Sequence, residues 1–171
     1  MKILKISLIV IGILVLLIVF SLVSVKLFFT QGVIDEFEIN SPEAGYNILI
    51  ASQKSNFKNS LVERLVDDLN SDSTYIKVID VTELSGINDK DWNAMILINT
   101  CEAGMMQKDV IRFLSQTAYK DRIILLTTSG SGVWKPADSP VDTFSSASKK
   151  ESIDSSLDYI KKRIEQIKVI K

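Results

Sequence analysis

The sequence contains no histidine and only one cysteine, and these two shortages exclude several kinds of active site. Ser-His-Asp triads, Cys-His dyads and HExxH zinc sites all require the missing histidine. The single cysteine, Cys101, permits no internal disulfide and no CxxC redox or metal motif. A GxxxxGK[ST] phosphate loop is also absent, so the chain is not a P-loop nucleoside triphosphatase.

A net positive charge is missing as well. The net charge of the 171 residues is −1. Three of the 20 basic residues lie in the first 26 positions and no acidic residue precedes Asp35, so residues 27–171 carry 17 basic and 21 acidic side chains. Binding of nucleic acid depends on the neutralisation of phosphates by grouped Lys and Arg. The composition therefore argues against a nucleic-acid partner.

A long uncharged segment occupies the N-terminal region. Residues 6–25 are mostly Ile, Leu and Val and contain no charged side chain. At about 1.5 Å of helix rise per residue, such a segment spans a hydrocarbon layer about 30 Å thick. A cleavable secretory signal has a shorter apolar region and ends in small residues of the A-x-A type. We therefore expect an uncleaved signal-anchor over residues 1–26, with a cleaved signal as the alternative.

The charges that flank this segment predict its orientation. Lys2 and Lys5 precede it, and Lys26 follows it. The positive-inside bias favours a cytoplasmic N-terminus and an extracytoplasmic domain, and only Lys26 counts against it. The expected protein is thus a single-pass membrane protein. Residues 27–45 are predicted to be a tether, in which residues 31–40 form either a short extra strand or a juxtamembrane helix.

The rest of the chain, residues 46–171, alternates between apolar runs and amphipathic segments. The runs predict five strands, at residues 46–51, 75–81, 93–99, 122–127 and 141–144. Helical spacing of apolar residues predicts helices at residues 57–69, 106–114 and 153–167, the first capped by Ser55 or Asn56. This alternation is typical of a parallel sheet with helices on both faces. Right-handed crossovers bring three polar turns to one edge of the sheet, at residues 52–56, 100–105 and 127–134.

The segments at this edge resemble those of the flavodoxin-like family. The sequence SQKSNF at residues 52–57 is similar to the family's phosphate loop, S/T-x-T-G-N-T. Residues 92–98, WNAMILI, resemble the approach to the family's third strand, and residues 99–104, NTCEAG, resemble the loop that faces the flavin ring. Residues 127–132, TTSGSG, resemble the end of its fourth strand. The resemblance covers residues 46–168 and implies an α/β fold with an open parallel sheet of order 2-1-3-4-5, here preceded by one N-terminal transmembrane helix.

The same resemblance implies a non-covalently bound FMN and assigns residues to it by position. The phosphate would be held by Ser52, Lys54, Ser55 and Asn56. The ring pocket would be lined by Thr100, Cys101, Glu102, Thr128, Ser129, Gly130 and Trp134. A carboxylate at Glu102 would disfavour an anionic reduced ring and so lower the flavin potential. On this hypothesis the chain is a membrane-anchored flavoprotein that carries electrons to a redox partner the sequence does not name, and it is not a catalyst.

The chain also departs from the family pattern, and the departures support a second hypothesis. Lys54, Ser55 and Phe57 stand where the phosphate loop has Thr, Gly and Thr. Loss of the glycine closes off the near approach of backbone to phosphate, whereas Lys54 offers a direct charge. Residues 131–140 are too few for a normal crossover helix before the fifth strand. The alternative is therefore a flavodoxin-like fold without cofactor that acts as a membrane-tethered binding or scaffolding module.

Other functions suggested by this arrangement fail on single residues. A phosphatase loop of the C-x5-R type would need arginine at Gln107, so Cys101 is predicted to be a buried, inert thiol. A receiver domain needs acidic residues after the first strand and an aspartate ending the third, where Ser52 and Asn99 stand. Trp92 is predicted to pack at a strand entrance rather than to contact a ligand.

Overall fold

A computed structural model of the protein describes residues 2–29, 31–137 and 139–169, and it divides the chain into two compact units between Gln31 and Gly32. The side chains of residues 2–9 and 25–29 are outside this description. The predicted anchor, residues 1–26, and the predicted domain, residues 46–171, extend beyond the described residues at Met1, Asp138, Ile170 and Lys171.

The first unit contains one helix, α1, which runs over Lys2–Phe29. Among its described side chains, residues 10–24, the large apolar ones are exposed on every side: each of Ile13, Leu14, Val15, Leu16, Leu17, Ile18, Val19 and Phe20 is more than half exposed. Eight consecutive residues at 3.6 per turn cover the whole circumference of a helix. Among the described residues, no helix has the length and apolarity that a membrane crossing requires.

The second unit is a mostly parallel sheet with helices on its faces. Its strands are β1 (Gly32–Val33), β2 (Phe37–Ile39), β3 (Tyr46–Lys54), β4 (Thr74–Asp80), β5 (Ala94–Thr100), β6 (Ile123–Ser129) and β7 (Thr143–Ala147). Its helices are α2 (Asn56–Leu69), α3 (Lys108–Gln116) and α4 (Ile153–Val169). The α/β class and the open, largely parallel sheet predicted from the alternation are confirmed.

The sheet has two more strands than predicted, which changes its full order, but the five predicted strands keep their relative order 2-1-3-4-5 as β4-β3-β5-β6-β7. It has seven strands in the order β2-β4-β3-β5-β6-β7, with β1 paired to β3. The strands β3 to β7 pair in parallel, whereas β1 and β2 pair antiparallel with β3 and β4. The two antiparallel strands lie in the predicted tether. Residues 31–40 thus contain short strands rather than a juxtamembrane helix.

Alternation along the central strands builds two core layers. In β3, Ile48 and Ile50 face the layer that contains α2 and α4, while Leu49 and Ala51 face the layer that contains α3. All four side chains are at most 1% exposed. A strand buried on both faces needs a continuous apolar run rather than an alternating one, as this sequence provides.

Strand β3 is longer than predicted, and this removes most of the predicted turn at residues 52–56. Ser52 pairs with Asp80 and Ile98 on the neighbouring strands, and Lys54 pairs with Gly32 on β1. The polar side chains that follow Ala51 predict that the strand ends there. The strand continues because β1 supplies it with a further backbone partner.

Other boundaries shift by a few residues. Helix α3 starts at Lys108, after Gln107 caps it by accepting from the backbone N–H groups of Asp109 and Val110. Strand β7 covers Thr143–Ala147 instead of residues 141–144. The described part of the stretch between β6 and β7 contains no helix, and α4 is the next α-helix after α3.

Candidate functional site: the carboxyl edge of the sheet

The residues predicted to hold a phosphate lie at the end of β3 and the start of α2, where Ser52, Lys54 and Ser55 have partners within the protein and Asn56 is the exposed first residue of α2. Ser52 is fully buried, and its hydroxyl donates to the carbonyl of Gln53 at 3.0 Å. The ammonium of Lys54 lies 2.9 Å from the Asp35 carboxylate. Ser55 is the N-cap of α2, and its Oγ accepts from the backbone N–H of Lys58 at 3.2 Å. These contacts are those of a strand end followed by an ordinary helix cap.

The close approach of β1 explains why Lys54 is engaged. A Cβ added to Gly32 would lie 3.3 Å from the Cβ of Lys54, so a side chain at this position would crowd the strand. The glycine lets β1 pair with the last two residues of β3. This places the preceding segment, including Asp35, beside the position of the expected phosphate loop.

The residues predicted to line a flavin ring are partly brought together. The backbone N–H of Cys101 donates to the carbonyl of Thr128 at 2.7 Å, and the hydroxyls of Thr100 and Thr128 are 3.2 Å apart. Cys101 is half-buried, which corrects the expectation of a fully buried thiol. Glu102 is exposed and pairs with Met105 across a two-residue turn.

The remaining predicted ring residues belong to the loop after β6. The hydroxyl of Ser129 accepts from the backbone N–H of Gly132 at 3.0 Å, which closes a turn around the exposed Gly130. Trp134 is half-buried, and its carbonyl accepts from the hydroxyl of Ser145 on β7. These contacts hold the loop to itself and to the edge strand.

Trp92 packs as predicted. It is 6% exposed, and its ring stacks on Tyr75 with centroids 5.7 Å apart.

The most unusual side chain at this edge is one that the sequence analysis missed. Lys58, in the first turn of α2, has an exposed fraction of 0%. Its ammonium donates to Gln53 Oε1 at 3.1 Å and to the hydroxyl of Thr100. Gln53 Oε1 also accepts from the backbone N–H of Thr100 at 2.7 Å. We call Gln53, Lys58, Thr100 and Thr128 the Lys58 cluster.

Burial changes the charge state of this lysine. Desolvation lowers the pKa of Lys58 from 10.5 to about 7, although the nearby carboxylates of Glu102 and Asp80 act in the opposite direction. A cation in the first turn of a helix also meets the positive end of the helix dipole, which again favours the neutral amine. Lys58 is therefore close to half-protonated at neutral pH.

Two further buried polar residues flank the cluster on the neighbouring strands. Asp80 accepts from the backbone N–H of Ile34 at 3.0 Å and from the hydroxyl of Thr82 at 2.8 Å, and so ties the segment after β1 to the sheet. Asn99 donates to the Thr127 hydroxyl at 3.2 Å, but its buried Oδ1 has no hydrogen-bond partner among the described residues.

The sequence does contain a signal for Lys58. In α2, the buried apolar positions include Leu61, Val62 and Leu65. Lys58 lies three, four and seven residues before them, which puts it on the same helix face. A lysine on the apolar face of a predicted helix thus marks a buried ionisable group, and such groups occur preferentially at functional sites.

The chemistry available at this edge is that of a buried amine with hydroxyl and amide partners. Among the residues that the structure describes, no group of three or more His, Cys, Asp or Glu side chains is placed to hold a metal ion. Comparison with known protein families finds no model that matches the chain, and comparison with curated proteins finds no significant match.

Proposed function

We propose that this chain is a membrane-tethered binding module, built on a flavodoxin-like domain in which the protein's own side chains fill the phosphate position. The single observation that carries the proposal is the engagement of Lys54. It is the one cation of the predicted phosphate loop, yet it lies in strand β3, pairs with β1 and contacts Asp35 at 2.9 Å. A phosphate bound to this ammonium would have to compete with the Asp35 carboxylate.

The Lys58 cluster also supports a module without FMN. Phosphate sites at helix N-termini use free backbone N–H groups and hydroxyls. Here Ser55 accepts from the first turn of α2 and Thr100 accepts from Lys58. Polar groups that hydrogen-bond to each other inside the protein stabilise a single arrangement and leave fewer free donors and acceptors for a ligand.

The membrane anchor in this proposal is α1. Its 28 residues correspond to about 42 Å of helix. A helix that is apolar on every side needs an apolar environment, either a protein core or a lipid layer. The exposed side chains of residues 13–20 fit lipid contact, and the charges of Lys2 and Lys5 favour an extracytoplasmic domain.

An FMN-binding electron carrier is the second candidate, and one feature favours it. The ends of β5 and β6 bring Thr100, Cys101 and Thr128 to one place. The buried Oδ1 of Asn99 beside them is an acceptor without a partner among the described residues. A flavin ring has N–H donors for such an acceptor, and the protein would bind and orient the ring while the cofactor supplies the redox chemistry.

Flavin titration of the full chain in a nonionic detergent separates the two candidates. The module proposal predicts no quenching of flavin fluorescence at about 50 µM FMN, a concentration that nearly saturates a site with a Kd of about 1 µM. Quenching with a Kd below about 10 µM would overturn it. If FMN binds, Lys54→Ala should weaken FMN and leave riboflavin unaffected. An equal loss for both flavins would show that Lys54 does not contact the phosphate.

A further inference from the structure

A groove on the second unit, away from the carboxyl edge, has an unusual charge balance. It lies between the loop before β7 and helix α4 and has a volume of about 580 Å³. Three cations line it, Lys135, Lys162 and Arg163, with Asp142 as the one carboxylate among its described lining residues. Residues 27–171 as a whole carry an excess of acidic side chains. The groove therefore concentrates positive charge on an acidic domain.

The guanidinium of Arg163 has donors that the protein does not use. Nη1 donates to Gln166 at 2.7 Å. Nη2 lies 3.6 Å from the Asp142 carboxylate, which is beyond the usual length of a hydrogen bond. The buried Nε has no hydrogen-bond partner among the described residues. The Nε–Nη2 edge is the edge of arginine that binds carboxylates and phosphates through two parallel hydrogen bonds.

Two aromatic side chains form part of the groove wall. Phe144 on β7 and Tyr159 on α4 stack with ring centroids 4.6 Å apart. Burial raises the pKa of Tyr159 above its usual value, so its phenol remains a neutral donor at physiological pH. A wall of this kind offers apolar area beside the cationic groups. The volume falls in the range of pockets that hold small molecules.

We infer that this groove binds a phosphomonoester, with the dianion held by the guanidinium of Arg163 and by the ammonium groups of Lys135 and Lys162. The described lining residues have an excess of two positive charges, which a dianion matches better than a monocarboxylate does. Asp142, whose side chain is 74% exposed, is free to turn into solvent when the ligand enters. The inference is independent of whether the carboxyl edge binds FMN.

The test uses the full chain in lipid nanodiscs, with the arginine Nε–H signals followed by NMR. Phenyl phosphate is the soluble probe, and phosphatidic acid in the nanodisc is the lipid probe, with phosphatidylcholine nanodiscs as background. The expected result is a shift of the Arg163 Nε–H signal and a millimolar or tighter Kd for one of the two. A response to phenyl phosphate identifies a free ligand, and a response to phosphatidic acid alone identifies a lipid headgroup.

Three variants make the result specific. Arg163→Lys keeps the charge but removes the two-pronged edge, and we expect it to weaken binding about tenfold. Asp142→Asn removes the competing carboxylate and should tighten binding about threefold. Lys161→Ala is the matched control, because Lys161 is next to the groove in sequence but pairs with Asp68 on α2. The inference is overturned if neither probe shifts the Arg163 signal, or if Arg163→Lys binds as tightly as the unmodified chain.

Discussion

The carboxyl edge and the groove between α4 and the loop before β7 each contain cationic side chains, but the surroundings of these cations differ. At the carboxyl edge, Lys58 is fully buried and donates to Gln53 and Thr100. In the groove, Arg163 has an Nε without a partner among the described residues, and its Nη2 lies 3.6 Å from the Asp142 carboxylate. On our proposals, the first cation serves the protein's own structure, whereas the second is available to a ligand. In a fold of this class, the usual ligand edge is thus not automatically the site that is open.

The largest effect that sharpens this comparison is expected from Lys58→Met. The folded-state pKa of Lys58 is about 7 and its ordinary value is 10.5, so between these values the unfolded chain binds more protons. The free energy of unfolding should therefore rise between pH 7 and 9.5, by at most about 1.4 kcal/mol per pH unit, and this contribution should be constant below about pH 6. Lys58→Met should remove the rise and stabilise the protein at pH 6 by about 2 kcal/mol.

Urea unfolding followed by tryptophan fluorescence measures this effect at each pH. The control is Lys90→Met, because Lys90 is exposed and its substitution should leave the pH dependence intact. Curves for Lys58→Met and the unmodified chain that run parallel from pH 6 to 9.5 would contradict a desolvated Lys58.

A smaller change in the free energy of unfolding, in this case a loss, is expected from Gln53→Leu. Its Oε1 accepts from both Lys58 and the backbone N–H of Thr100, so the substitution leaves two buried donors without this partner. We expect a loss of about 1–3 kcal/mol in the free energy of unfolding. Gln116→Leu, at the exposed end of α3, is the control. In the double variant with Lys58→Met the loss should shrink, and strict additivity would argue against the cluster.

The smallest effect is expected at the ion pair between Lys54 and Asp35. The two side chains are 41% and 90% exposed, so solvent screens the pair strongly. Lys54→Ala should lower the free energy of unfolding by less than about 0.5 kcal/mol, and the loss should fall further as salt is added. A double-variant cycle with Asp35→Ala isolates the pair. A coupling energy above about 1.5 kcal/mol would mean that the pair contributes more to the free energy of unfolding than an exposed ion pair does.

Much of the fold was predictable because burial on both faces leaves a plain pattern. The runs at Ile48–Ile50 and Met95–Ile98 identify central strands without further information. The N-cap at Ser55 was also within the predicted pair of residues. What the pattern missed depends on tertiary pairing. Strand β3 extends to Lys54 only because β1 lies beside it, and nothing in a run of Ser, Gln and Lys predicts a strand.

The sequence predicts where the candidate site lies, but it does not predict which side chains form it. Parallel strands with right-handed crossovers direct attention to the carboxyl edge, where Thr100 and Thr128 indeed meet. The resemblance to a phosphate loop drew attention to Lys54, whereas the buried lysine is four residues further along. Lys58 could have been found from its place on the apolar face of α2. The groove at Arg163 could not have been found from the sequence, because it depends on how the loop before β7 approaches α4.

The most direct test of the closed carboxyl edge is an NMR titration of labelled lysine side chains in the full chain, with and without FMN. The structure predicts that the Lys58 amine titrates near pH 7 and that FMN does not change this midpoint. Titration near its ordinary value of 10.5 would place the amine in solvent and contradict the buried cluster. A rise of the midpoint by about one unit or more on addition of FMN would show that a phosphate reaches Lys58, and the carboxyl edge would then be a ligand site after all.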